Sequence, residues 1–78
     1  MNLQRVGSRL DPQELRQYVG RRVRLELDPA SPFGPVLVGT LVGVVDALDG
    51  LVAMLEPEGR PGARLSCHYH YIRSIVPA

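Results

Sequence analysis

The sequence predicts a mainly β protein: a short N-terminal helix followed by five strands in one strongly bent antiparallel sheet, a small barrel. Three observations carry this. Apolar residues recur at helical spacing only between Leu10 and Gly20. From Val23 onward they alternate, or run in short blocks cut by Pro- and Gly-rich stretches. The connections are short, which makes successive strands antiparallel neighbours. Five short strands over residues 23–78 cannot build two stacked sheets of useful size, so one curved sheet with the helix over an open end is the economical solution.

Each element has its own local reason. In "LDPQELRQYVG", Asp11 caps a helix, Pro12 takes its first position, and Glu14 completes the capping-box spacing. Leu10 and Leu15 occupy the staple positions, and Leu15, Tyr18 and Val19 form an apolar face. Gly20 is the expected stop, which predicts helix over residues 12–19. In "RRVRLEL", Val23, Leu25 and Leu27 alternate with charged residues, a half-buried strand. "DPASPFGP" is a loop, long for a hairpin, in which Phe33 either folds back as a lid or stays exposed as a contact. Residues 36–45 form a long strand whose Gly39 and Gly43 mark bends or close backbone approach. "DALDG" turns the chain, residues 51–55 return, and "EPEGRPG" turns it again. Residues 63–69 and 72–76 are the last two strands, with almost no linker between them.

A chain of 78 residues forms one domain with a thin core, a size at which oligomerisation often adds burial. Residues 10–78 are read as that domain and residues 1–9 as a flexible N-terminal segment. Cys67 is the only cysteine, which rules out an intrachain disulfide and a zinc site of several thiolates. The N-terminus lacks the apolar core of a secretion signal, and no apolar run approaches the roughly 20 residues of a membrane helix. A cytoplasmic protein without membrane contact is expected. All nine basic residues are Arg. Arg suits bidentate phosphate or carboxylate contacts, though a GC-rich coding bias also replaces Lys with Arg. The charge is segmented: net +3 over residues 1–27, −5 over 28–59 and +3 over 60–78.

The chemistry concentrates in "SCHYHYIRSIVPA". On a strand, His68 and His70 share one face and Cys67 lies with Tyr69 and Tyr71 on the other. The His pair lacks a third ligand at any recognisable spacing, so no metal or cofactor is expected. Ser66 and Ser74 have no orienting acid for a triad, Asp46 and Asp49 read as turn residues, and Cys67 reads as a small buried hydrophobe. The chain is therefore not read as an enzyme. Tyr69, His70 and Tyr71 can stack on unpaired bases and Arg73 can meet a phosphate or base edge. The tyrosines can equally pack into the barrel or a subunit contact. Ile72, Ser74, Ile75 and Val76 form a short apolar strand which, as an edge, is a natural subunit seam, ended by Pro77.

Two motifs resemble the Sm-like family. Gly39-Thr40-Leu41-Val42-Gly43-Val44-Val45-Asp46-Ala47-Leu48 is similar to its first motif, with one extra residue before the Asp. "HYHYIRSIVP" resembles the end of the second motif in the bacterial Hfq-like branch, with His70, Ile72, Ser74, Ile75 (or its neighbour), Val76 and Pro77 in register. The pocket positions diverge. The Tyr-Lys of that branch is His68-Tyr69, its uridine-binding Gln-aromatic pair is Ala47-Leu48, and the Asn of the general pocket is Asp49 or Gly50. The resemblance implies a homo-oligomeric hexamer or heptamer ring binding single-stranded RNA, with Asp46, Leu48 and His70 at pocket positions. The alternative is an SH3-like small barrel that binds protein through Phe33 and the proline loop.

Overall fold

The computed structural model describes residues 10–78. The segment expected to be flexible, residues 1–9, lies outside the described residues. The elements run α1 (Pro12–Arg16), β1 (Arg22–Leu27), β2 (Val36–Ala47), β3 (Gly50–Pro57), β4 (Leu65–His68), a 3-10 turn (Tyr69–Tyr71) and β5 (Ile72–Pro77). The five strands form one antiparallel sheet in the order β4-β3-β2-β1-β5. This is the mainly β fold expected. No helix among the described residues is long and apolar enough to cross a membrane.

The helix is shorter than the apolar pattern predicts. The Asp11 carboxylate accepts the Gln13 N–H at 2.9 Å and starts it as expected. After Arg16 the bonds tighten: Tyr18 N–H reaches Leu15 C=O at 3.1 Å and Val19 N–H reaches Arg16 C=O at 3.3 Å. The cause is the sheet. Gly20, at φ +92°, donates to Leu41 C=O at 2.7 Å, and Arg21 C=O accepts the Leu41 N–H at 3.0 Å. The chain must leave the helix early to make these bonds. Leu15 is fully buried and Tyr18 packs on the core, whereas Val19 turns outward and is exposed.

The sheet has to curl. β4 and β5 are its two ends, and only three residues join them. In a flat five-stranded sheet those edges would lie about 19 Å apart. The four Cα steps from His68 to Ile72 span at most about 14 Å. Two bulges help the bending. The β2–β3 register skips Val42, between Leu41↔Leu55 and Gly43↔Met54. The β1–β5 register skips Arg73, between Leu27↔Ile72 and Glu26↔Ser74. The second bulge lets Ile72 and Ile75 both face inward, three apart, where strict alternation would have sent one outward. The curl encloses a core of Leu15, Val23, Leu25, Leu41, Leu55, Cys67 and Ile72, drawn from the helix and all five strands.

The loop over residues 28–35 folds back. Ser31 is buried; its hydroxyl donates to Gly34 C=O at 2.9 Å and accepts the Phe33 N–H at 3.1 Å. Asp28 N–H donates to Tyr71 C=O at 2.8 Å, tying the loop to the 3-10 turn. Phe33 is half-buried against the core, which makes it the lid of the two roles open to it.

Cys67 sits fully buried in the core, and desolvation pushes its thiol up from 9.0 to about 11. The neutral thiol is favoured in the folded state. Its contribution is therefore complete below pH 9.0 and is lost as pH rises toward about 11. A disulfide-exchange reagent at pH 8 is expected to leave Cys67 unmodified until denaturant is added, read as thiol release against time. Rapid labelling of the native protein would contradict the burial.

Candidate nucleic-acid interface

Two tight turns meet at one corner of the sheet. Ala47 and Gly50 are the last paired residues of β2 and β3, so Leu48 and Asp49 alone make the turn. Gly50 adopts φ +123°, a conformation side chains rarely take, and any Cβ there would lie 3.2 Å from His68 Cε1. Leu48 stands fully exposed at the tip.

His68 closes the corner from the other side. It ends β4 with φ −65° and ψ 138°, and its Nδ1 accepts the His70 N–H at 3.3 Å, capping the 3-10 turn. Its Nε2 lies 3.0 Å from Asp49 C=O and 3.4 Å from Asp49 Oδ2. A carbonyl only accepts, so the hydrogen-bond network assigns the ring proton to Nε2. Sequence reasoning missed this link. The Asp-Gly turn signal marked one half of it, but no spacing rule connects residues 19 apart.

The turn also corrects the strand reading. Residues 63–69 were expected to alternate as a strand, yet β4 covers only Leu65–His68 and the chain coils at Tyr69–Tyr71. The three-residue span between the sheet edges forces this. The two histidines do meet, but through the turn: the His70 ring contacts those of His68 at 4.3 Å and Tyr71 at 4.2 Å between centroids, each tilted by nearly 50°. The chain of rings has His70 at its centre and His70 exposed. Tyr69 and Tyr71 are half-buried and pack on the core, the structural role open to them.

Charged residues near the corner are already paired. Asp46 lies 3.4 Å from Arg16, and Arg73 lies 3.5 Å from Asp28. Arg22, Arg24 and Arg64 lie within 4.0 Å of Glu58, Glu26 and Glu56. Arg21 sits over the Tyr18 ring at 5.2 Å. Residues 10–78 carry seven Arg against eight acids, a net −1 with His neutral. Among the described residues no three His, Cys, Asp or Glu side chains converge as metal donors.

The remaining sequence-identified residues lie on β5. This strand pairs with β1 alone, so its outer edge is open among the described residues, as is that of β4. Ile72 and Ile75 send their side chains into the core, Ser74 hydrogen-bonds Glu26 at 3.1 Å, and Val76 is exposed. What β5 presents outward is backbone with Arg73, Val76 and Pro77. A cleft of about 280 Å³ lies between Arg22, Gly39, Thr40, Glu56, Glu58 and Pro61, and none of the residues proposed from sequence to bind RNA or form a subunit seam line it. The chain matches no family model, no curated protein and no solved structure, so fold and site rest on its own residues.

Proposed function

We propose that this chain forms a homo-oligomeric, Sm-like ring that binds single-stranded RNA at the corner where the Leu48–Asp49 turn meets the Tyr69–Tyr71 turn. The observation that carries the reading is the His68–Asp49 contact. It joins the turn that carries the exposed Leu48 to His68, whose ring continues into the exposed His70 and the half-buried Tyr71. Rings and apolar tips are what unpaired bases stack on, at about 1–3 kcal/mol per base. The open edges of β4 and β5 support assembly, because each offers unpaired backbone groups that a neighbouring copy can satisfy. Head-to-tail pairing of unlike edges closes into a ring when the rotation allows.

The pairing of the arginines shapes the expected binding mode. With the described surface near neutrality and each nearby Arg beside a carboxylate, few counterions are released on binding. Affinity then comes from stacking and base-edge hydrogen bonds, with a shallow salt dependence. Light scattering combined with a fluorescent oligonucleotide screen tests both parts. The expected result is a mass of six or seven times 8.6 kDa and retention of a single-stranded RNA probe. A monomer that retains no RNA at low salt would overturn the reading.

A further inference from the structure

We infer that His68 is a positioning residue for this corner, joining the two turns only in its neutral, Nε2-protonated form, so that a second proton releases the Tyr69–Tyr71 turn. The relevance to RNA rests on the function proposed above; the structural device does not. His68 makes two bonds of opposite sense. Nδ1 accepts from His70 N–H at 3.3 Å, and Nε2 donates to Asp49 C=O at 3.0 Å. Only one of the two neutral tautomers satisfies both.

The surroundings hold the ring in this pose. Gly50 leaves space for Cε1 that a Cβ would fill, and the His70 ring packs at 4.3 Å. The His68 side chain is 20% exposed, so protons reach it. On protonation Nδ1 gains a hydrogen and faces the His70 N–H donor to donor, so the cap is lost. The Nε2 side is not lost, because the Asp49 carboxylate at 3.4 Å attracts the cation. The turn at Leu48–Asp49 therefore keeps its hold on His68 while the 3-10 turn is let go. Titratable groups facing the ring are Asp49 on one turn and His70 on the other. β3 opposes it with Val52, which does not titrate. Asp46, near the same tip, is held by Arg16. Histidine generally gains its second proton between about pH 8 and pH 5.

Two substitutions separate the two bonds. His68→Asn keeps an acceptor near the Nδ1 position and removes the reach to Asp49. His68→Gln keeps a donor near the Nε2 position and removes the cap. The full chain is followed by nitrogen NMR of the imidazoles and by amide exchange at His70, from pH 8 to pH 5. At pH 8 the wild type is expected to show Nε2-protonated His68 and a protected His70 amide. At pH 5 that protection falls about tenfold after correction for intrinsic exchange, the size of one lost hydrogen bond. His68→Asn retains protection at both values and His68→Gln lacks it at both. A proton on Nδ1 at pH 8, or a His70 amide indifferent to pH in the wild type, would overturn the inference. An oligouridine probe separates this from the functional reading. Absence of binding at every pH, with the NMR behaviour intact, sinks the RNA proposal alone. Binding that weakens at pH 5 in the wild type, in step with the loss of protection at His70, supports both.

Discussion

Leu41→Ala is expected to leave this domain largely unfolded at 37 °C. Leu41 is fully buried where β2 passes beneath the end of α1, and its backbone takes both bonds from the Gly20–Arg21 segment. Truncating a fully buried leucine typically costs about 2–5 kcal/mol, the spread set by how far the site collapses. Collapse is restricted here. The neighbouring core residues Leu15, Val23 and Leu55 sit on three different elements, each pinned by its own backbone bonds. Small domains hold only about 5 kcal/mol or little more in total. Circular dichroism melting and urea titration report the loss; a variant whose midpoint matches the wild type would show that the core is not continuous at Leu41.

Gly39→Ala comes next in size, and for a different reason. A Cβ at residue 39 would sit on the Glu56 carbonyl oxygen and within 3.0 Å of Pro57 Cα, backbone that cannot swing aside. The two strands must separate or twist, which costs about 1–3 kcal/mol by analogy with overpacked cores. For a domain this small that corresponds to a melting temperature lower by roughly 5–20 °C. Gly43→Ala is the control. Nothing lies within 4 Å of its Cβ position and its backbone is not in the left-handed region, so the same exchange is expected to be neutral or slightly stabilising. Equal effects at the two sites would show that β2 and β3 do not cross as closely at Gly39 as described.

Much of the fold was legible in the residues, because local chemistry and tertiary packing agree there. Asp11, Pro12 and Leu15 start and anchor the helix, and Val23, Leu25 and Leu27 alternate cleanly in β1. What was not legible depends on contacts between distant residues. The helix ends at Arg16 because Leu41 draws Gly20 and Arg21 into the sheet, which no helical period contains. The bulge at Arg73 is a property of pairing with β1, so alternation within β5 misplaces Ile75. The site was legible by segment and not by geometry. The stretch "SCHYHYIRSIVPA" concentrates the chemistry, but a coil after His68 replaces the extended strand its spacing predicts. Asp49, the residue that turns a cluster of rings into a joined corner, carried no signal beyond its place in a turn.

The position of β1 inside the sheet also sets the order in which the molecule can be made. Its ladder to β2 links residues 10 to 18 apart, whereas its ladder to β5 links residues 45 to 54 apart. During synthesis the meander of β1 to β4 emerges with one flank of β1 bare. Val23, Leu25 and Leu27 then wait for a strand that follows β4 and the 3-10 turn in the chain, and closing so long a loop is slow compared with zipping a hairpin. In that interval the exposed flank of β1 is the surface most open to mispairing with another nascent chain.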